Sequence, residues 1–330
     1  MTKPYEVISV CNALMDIVLN VKDEDIRRHG LRKGSMHLVD RPAQEALLAE
    51  FCSHEQVVEL GGSSLNVIRA LAELGHSTAF IGVVADDAFG EKIRSYLQQR
   101  AIAGHLASLP SSVASTGTCL SLVTPDAERT MVTHLGASRL YSRKDIPVTA
   151  IHQAKIFHFS GYQWDSDQQK DAMTFALQEA KKAGTLISFD LADPFVVQQH
   201  RSAFAELVGE ADVVFANEAE AQLLYELSPE AAAQKIAAHG AIAVVKLGAR
   251  GALLQKGSSI VRVAPLPTQV LDTTGAGDMF AGGFLHGICL GWSLELCGKA
   301  AALLASDVIS RYGVRLAPEV VAAVRALGLH

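Results

Sequence analysis

The segment Asp272-Thr273-Thr274-Gly275-Ala276-Gly277-Asp278 sets glycines, hydroxyls and carboxylates side by side, directly before the apolar run Met279-Phe280-Ala281-Gly282-Gly283-Phe284-Leu285. Gly275 and Gly277 let the backbone turn tightly and aim successive N–H groups at one point. The helix that follows adds the positive end of its dipole. The product is an anion hole. Asp278 falls in the first turn of that helix, where a carboxylate either caps the helix or accepts the proton of a hydroxyl attacking a phosphoryl group. In the second case the protein mainly positions groups and neutralises charge, and base assistance is worth about 10² to 10⁴ in rate.

Other Gly-rich patterns are excluded. The chain has no G-x-x-x-x-G-K-[ST], so it is not a P-loop nucleotide-binding protein, and no G-x-G-x-x-G follows its first apolar strand. Gly61-Gly62-Ser63-Ser64-Leu65-Asn66 is a second Gly-rich turn opening a helix, readable as a site or as a plain turn. Asn217 and Glu220 stand three residues apart on one helical face and by themselves read as a helix cap with a solvated carboxylate.

Composition narrows the partners. The chain has 330 residues, 49% of them hydrophobic and 19% charged, enough for a large core. Net charge is −6 and no long Lys/Arg cluster occurs, so nucleic acid is not an expected partner. Five cysteines without C-x-x-C or zinc-site spacing are expected to be reduced thiols. Residues 1–6 carry no signal-peptide pattern, and the apolar stretch Phe280 to Trp292 is too short and Gly-rich for a membrane span. A cytoplasmic protein is expected.

The elements that must hold these residues follow from periodicity. Strands are expected at Val7–Val10, Ala79–Val84, Ile156–Phe159, Thr185–Phe189, Val213–Ala216 and Ile242–Leu247. Helices are expected at Arg41–Phe51, Ser64–Leu74 (closed by Gly75), Gln168–Ala183 and Ala231–His239. Apolar strands that do not alternate in polarity, separated by helices, predict a mostly parallel central sheet covered on both faces. Short strands at Ile17–Val21, Ser35–Val39, Ser115–Val123 and Glu128–Leu135, the last two joined by Thr124-Pro125-Asp126-Ala127, do not fit that layering. They predict a small β-sheet lid made from parts of 13–40 and 115–135, projecting from a single α/β domain spanning 1–330.

Residues 272–285 resemble the C-terminal signature of the PfkB (ribokinase-like) sugar and nucleoside kinases. Gly61-Gly62 with Asn66 and Gly75 resembles their N-terminal signature, and order and separation agree from Ser9 to about Arg315. The resemblance implies a ribokinase-like fold and ATP-dependent phosphorylation of an alcohol. Asp278 would be the base, and Gly275, Ala276 and Gly277 the anion hole. Asn217-Glu218-Ala219-Glu220 matches the family's N-x-x-E motif, so Asn217 and Glu220 would hold Mg²⁺ largely through water. Lys246-Leu247-Gly248-Ala249-Arg250-Gly251 is similar to the turn that meets the nucleotide, which assigns Lys246, Gly248, Gly251 and Thr274 to ATP; an ordinary hairpin is the alternative. Some relatives bind a monovalent cation near the loop matching Asp272 and Thr274.

Within the family, Cys11-Asn12-Ala13-Leu14-Met15-Asp16-Ile17 resembles the G-N-x-L-x-D segment of adenosine kinases, with Cys11 in place of Gly. There Asn12 and Asp16 would grip ribose hydroxyls, next to Gly61, Gly62 and Asn66. Leu14, Met36 and Leu38 would face the base. Arg129 matches the lid arginine expected to reach the phosphates, and Phe159 to Asp165 looks like a segment of bacterial adenosine-kinase-like proteins. Ser64, Ile68 and Ala85 depart from the family pattern in the part that shapes the acceptor pocket. A nucleoside, foremost adenosine, is the expected acceptor; a sugar such as ribose, fructose or a ketodeoxy acid, or a non-catalytic nucleoside sensor, are the alternatives. A monomer and a homodimer both fit.

Overall fold

The computed structural model of the chain describes residues 3–126 and 128–328. Its strands are β1 (Tyr5–Val10), β2 (Leu14–Asn20), β3 (Met36–Leu38), β4 (Gln56–Gly61), β5 (Thr78–Ala85), β6 (Ala103–Leu109) and β7 (Gly117–Val123). They continue as β8 (Arg129–His134), β9 (Ala154–Ser160), β10 (Leu186–Asp190), β11 (Val213–Asn217), β12 (Ile242–Lys246), β13 (Ala252–Lys256) and β14 (Ser259–Val263). The helices are α1 (Asp23–Arg28), α2 (Arg41–Glu50), α3 (Ser63–Glu73), α4 (Ala88–Gln99), α5 (Val148–His152) and α6 (Asp167–Lys182). They are followed by α7 (Pro194–Val208), α8 (Glu218–Tyr225), α9 (Pro229–Ala238), α10 (Ala276–Cys289), α11 (Leu294–Val308) and α12 (Pro318–Ala326).

The large sheet has nine strands in the order β14-β13-β12-β11-β10-β9-β1-β5-β6. All pairings are parallel except those of β12 with β13 and β13 with β14. Alternate residues of its strands feed two cores. Ile8, Ile81 and Val214 pack toward α6, α7 and α9, whereas Val7, Phe80 and Phe215 pack toward α3, α4, α10 and α11. Helices therefore cover both faces, as the unbroken apolar strands predict. Each fully buried phenylalanine here, such as Phe157 or Phe284, contributes about 1.5–3 kcal/mol through removal from water.

The second sheet has the order β3-β8-β7-β2-β4, with α1 and α2 packed on one of its faces through Ile26, Leu47 and Phe51. Four of its strands lie in the expected segments. The fifth, β4, lies outside both 13–40 and 115–135, so the expected composition of this sheet was incomplete. Gln56, Val57 and Val58 of β4 are exposed at the sheet edge, and a strand without a buried face leaves no alternation to read. Thr124 N–H bonds Glu128 O at 3.0 Å across the expected hairpin, whose Ala127 is outside the described residues. Gly75, at φ +95°, ends α3 as expected.

Candidate active site

Gly275 is the N-cap of α10 with φ +70°, and a Cβ there would stand 2.9 Å from Val314. Only glycine takes that conformation without strain. The N–H groups of Gly277 and Asp278 meet no acceptor among the described residues. They are the orphan donors of a helix start. The Asp278 carboxylate beside them is anchored from across the molecule: Ser63 Oγ donates to Oδ1 at 2.7 Å and Asn66 Nδ2 to Oδ2 at 2.9 Å. Burial raises its pKa, the two hydrogen bonds oppose the rise, and the Asp190 carboxylate adds to it. A carboxylate raised in this way is a better proton acceptor at neutral pH than an ordinary Asp. The cap alternative fails on geometry, because both oxygens turn to α3 instead of to α10 N–H groups.

The carboxyl ends of β10, β11 and β12 converge on the same turn. Asn217 lies opposite Lys246 in the sheet register. Lys246 Nζ donates to Asp190 Oδ2 at 3.2 Å, and a Cβ added to Gly277 would come within 3.1 Å of that Nζ. Burial would lower the Lys246 pKa, but the Asp190 and Glu220 carboxylates raise it, so the ammonium stays charged. Lys246 thus faces the anion turn. Thr274, expected at the nucleotide, directs its hydroxyl to Asp272 Oδ1 at 2.5 Å and so stiffens the loop. Gly248 and Gly251 sit in the connection between the antiparallel strands β12 and β13. A Cβ at Gly251 would strike Val263 O, so this glycine is required by the hairpin itself.

Asn217 and Glu220 form a closed pair. Asn217 N–H and Nδ2 donate to the two Glu220 oxygens at 2.7 and 2.6 Å, and Glu220 N–H donates to Asn217 Oδ1 at 2.8 Å. This is a capping box, yet the carboxylate is only 1% exposed rather than solvated. Burial pushes Glu220 up to about 7, Lys246 opposes this, and Asp190 and Asp193 add to it. No group of three or more His, Cys, Asp or Glu side chains among the described residues is set to ligate a metal directly. The fit test is therefore one of charge: Glu220, Asp190 and Asp278 surround one ammonium, Lys246, and the carboxylates outnumber it. A hydrated divalent cation suits that excess better than direct ligation, as Mg²⁺ retains waters.

The turn between β4 and α3 closes on the segment between β1 and β2. A Cβ at Gly61 would lie 2.2 Å from Asp16 Oδ1, and one at Gly62, 2.6 Å from Asn12 O. The fold thus gathers Asn12, Asp16, Gly61, Gly62, Asn66 and Asp278. Two of the expected site residues have partners within the protein. Asn12, expected to grip a hydroxyl, donates to Tyr162 O at 3.1 Å and accepts from Gln169 Nε2 at 3.0 Å, so its amide ties β1 to α6. Arg129, expected over the phosphates, is bound to Asp16 at 3.3 Å and to Ser121 within the small sheet. Burial raises the Asp16 pKa and Arg129 opposes the rise. Of the expected apolar lining, Leu14 and Met36 are buried, whereas Leu38 is exposed.

Three participants are absent from the sequence reading. Ser63 and Arg69 flank Asn66 on α3, and Asp190 ends a buried apolar strand. The available signal for Asp190 was its position, an acidic residue at the carboxyl end of a parallel strand, where such sheets place ligands. Ser63 gave no signal, since its partner Asp278 lies 215 positions away, and neither did Arg69, whose four bonds are to Tyr96, Leu60, Asn66 and Val314.

Residues 52–320 match the model of the pfkB family carbohydrate kinases. The adenosine kinase of Sinorhizobium meliloti is 35% identical, superimposes with a TM-score of 0.92, and covers 98% of this chain and 99% of its own. A probable sugar kinase from Rhizobium etli CFN 42 is 34% identical with a TM-score of 0.92, covering all of both chains. Adenosine kinase of Saccharomyces cerevisiae is 27% identical over 95% of this chain and 96% of its own length. The anion turn, the anchored carboxylate and these likenesses agree, and the chain belongs to the pfkB family of carbohydrate kinases, phosphotransferases that act on an alcohol group.

Proposed function

We propose that the chain transfers the γ-phosphoryl group of ATP to the primary hydroxyl of a ribonucleoside, with adenosine as the preferred acceptor. The observation that carries this is the Asp278 carboxylate, held by Ser63 and Asn66 beside the free N–H groups of the α10 N-terminus. Asp278 takes the proton of the attacking hydroxyl. The Gly277 and Asp278 N–H groups and the Lys246 ammonium neutralise charge on the transferring oxygens, each preorganised donor being worth about 10² to 10³. Asn217, Glu220 and Asp190 would hold Mg²⁺ through water, which supplies further neutralisation of the phosphates when bound. The small sheet acts as a lid over the acceptor, so that water does not compete for the phosphoryl group. Asp16, kept in place by Arg129, accepts from a vicinal diol. Five free cysteines suit a reducing cytoplasm.

The adenosine reading is supported by the likeness to the Sinorhizobium meliloti enzyme and by Asp16 beside Gly61. One observation favours a second reading, a free sugar as acceptor: Asn12 is engaged within the protein, leaving Asp16 alone to grip a diol. ADP release measured with ATP and adenosine, guanosine, inosine, ribose or fructose separates the two. Adenosine is expected to give the highest kcat/KM. A free sugar turned over more efficiently replaces it as acceptor, and binding of nucleosides without ADP release points to a sensor.

A further inference from the structure

Five basic side chains, Arg69, Lys92, Arg100, Arg315 and Arg325, border a cleft of about 850 Å³. Asn12, Asp16, Asn66 and Asp278 do not line it. Met15 pairs with Leu60 across β2 and β4, while Asp16 pairs with Glu59, and alternate residues face opposite sides of a sheet. Met15, Val58 and Leu60 line the cleft from the face of the small sheet opposite to Asp16, Glu59 reaches it from Asp16's own face at the β4 edge, and Val321 of α12 closes the apolar wall.

The charges are unbalanced. Arg100 pairs with Glu73 at 3.2 Å and Arg315 with Glu59 at 2.8 Å. Arg69, Lys92 and Arg325 have no carboxylate partner among the described residues. Arg325 donates to the Glu73 and Leu74 carbonyls, and Lys92 lies over the Phe89 ring. Five cations against two carboxylates make a positive cleft in a chain whose net charge is −6. Clefts with one sign of charge and low-dielectric walls concentrate oppositely charged small molecules.

Arg69 joins this cleft to the base. Its Nε donates to Tyr96 Oη at 3.0 Å, Nη1 to Leu60 O at 3.2 Å and Asn66 Oδ1 at 2.9 Å, and Nη2 to Val314 O at 2.8 Å. A guanidinium has five N–H donors, so one remains for a ligand. Asn66, oriented by Arg69, donates its other end to Asp278.

We propose that this cleft is a second ligand site, for a small organic anion with two negative charges and an apolar body, and that Arg69 transmits its occupancy to Asp278. An anion drawing Arg69 outward loosens Asn66 and weakens its hydrogen bond to the base. A carboxylate that loses a donor becomes harder to ionise, so occupancy moves the acid limb of the turnover profile to higher pH. Only this coupling rests on the kinase reading; binding does not.

The probes are phenyl phosphate and isophthalate, a phosphate and a dicarboxylate on the same ring, titrated calorimetrically into the full chain at physiological salt. At least one is expected to bind, and the double variant Lys92→Glu/Arg100→Glu to bind it about tenfold or more weakly. Turnover of that variant without anion stays within about twofold, since neither side chain touches the Asp278 site. Lys92→Ala alone, a milder change, is expected to weaken binding about threefold. Binding of one probe alone identifies the headgroup. No binding of either up to about 10 mM, or equal binding by wild type and both variants, overturns the site. Binding that leaves the acid limb of kcat unmoved overturns the Arg69 link, and a chain without kinase activity still decides the site by calorimetry.

Discussion

The phosphoryl end and the acceptor end of this molecule are built in different ways. The first is a turn of contiguous residues, Asp272 to Asp278, whose N–H groups and helix start are set by local backbone geometry. The second is a set of side-chain pairings between distant elements: Asp16 with Arg129, Asn12 with Gln169, Gly61 against Asp16. A local backbone motif performs the same job wherever it is folded. Pairings between distant side chains reassign a residue whenever a neighbour competes for it. On the function proposed above, the phosphoryl end carries the reaction type, and the acceptor end carries its selectivity.

Substitutions at the two ends are expected to act differently. The largest effect is Asp278→Asn, with kcat lower by about 10² to 10⁴ and acceptor KM within a few-fold, read from ADP release. Near-normal turnover removes Asp278 from the chemistry. Gly61→Ala drives a Cβ into the Asp16 carboxylate. It is expected to raise acceptor KM about tenfold or more while ATP KM holds, because the damage is confined to the diol side. Equal rises in both would erase the division between the ends.

Asn12→Ala tests whether that amide is a structural tie. Leaving Gln169 Nε2 and Tyr162 O without their partner is expected to cost about 1–3 kcal/mol in urea unfolding, with little change in KM. A raised acceptor KM at unchanged stability would return Asn12 to the ligand.

The smallest effect is that of Glu220 on pH dependence. Its folded pKa, about 7, lies above the ordinary value of 4.5. The stability it contributes is therefore complete below about 4.5 and is lost as pH rises through 7. Glu220→Gln should flatten the fall of Tm between pH 5 and pH 8. By the same sign, Mg²⁺ binding near pH 6.5 should release protons, seen as a binding enthalpy that varies with the buffer.

Much of the scaffold was legible in the chain. Val213–Ala216 and Ile242–Val245 are buried on both sides, and such strands read as unbroken apolar runs. β4 was not legible because its outer residues meet solvent, and β6 and β14 stayed hidden at the two edges of the large sheet for a similar reason. At the candidate site, Gly275, Gly277 and Asp278 stand out together in the sequence because one turn dictates them. Asp16 and Arg129 each stand out in the sequence too, but nothing there marks them as partners.

The sequence by itself determined the local chemistry: a glycine turn opening a helix, with a carboxylate in its first turn, and the apolar rhythm that makes a parallel sheet. Those features depend on residues within a few positions of one another. Tertiary structure alone decided that Asp278 is anchored by Ser63 and Asn66, that Lys246 faces Gly277, that Arg129 serves Asp16, and that a basic cleft lies behind Arg69. Each of these joins elements distant in the chain, and a hydrogen bond across such a gap is fixed only when the packed sheets and helices bring its two ends together.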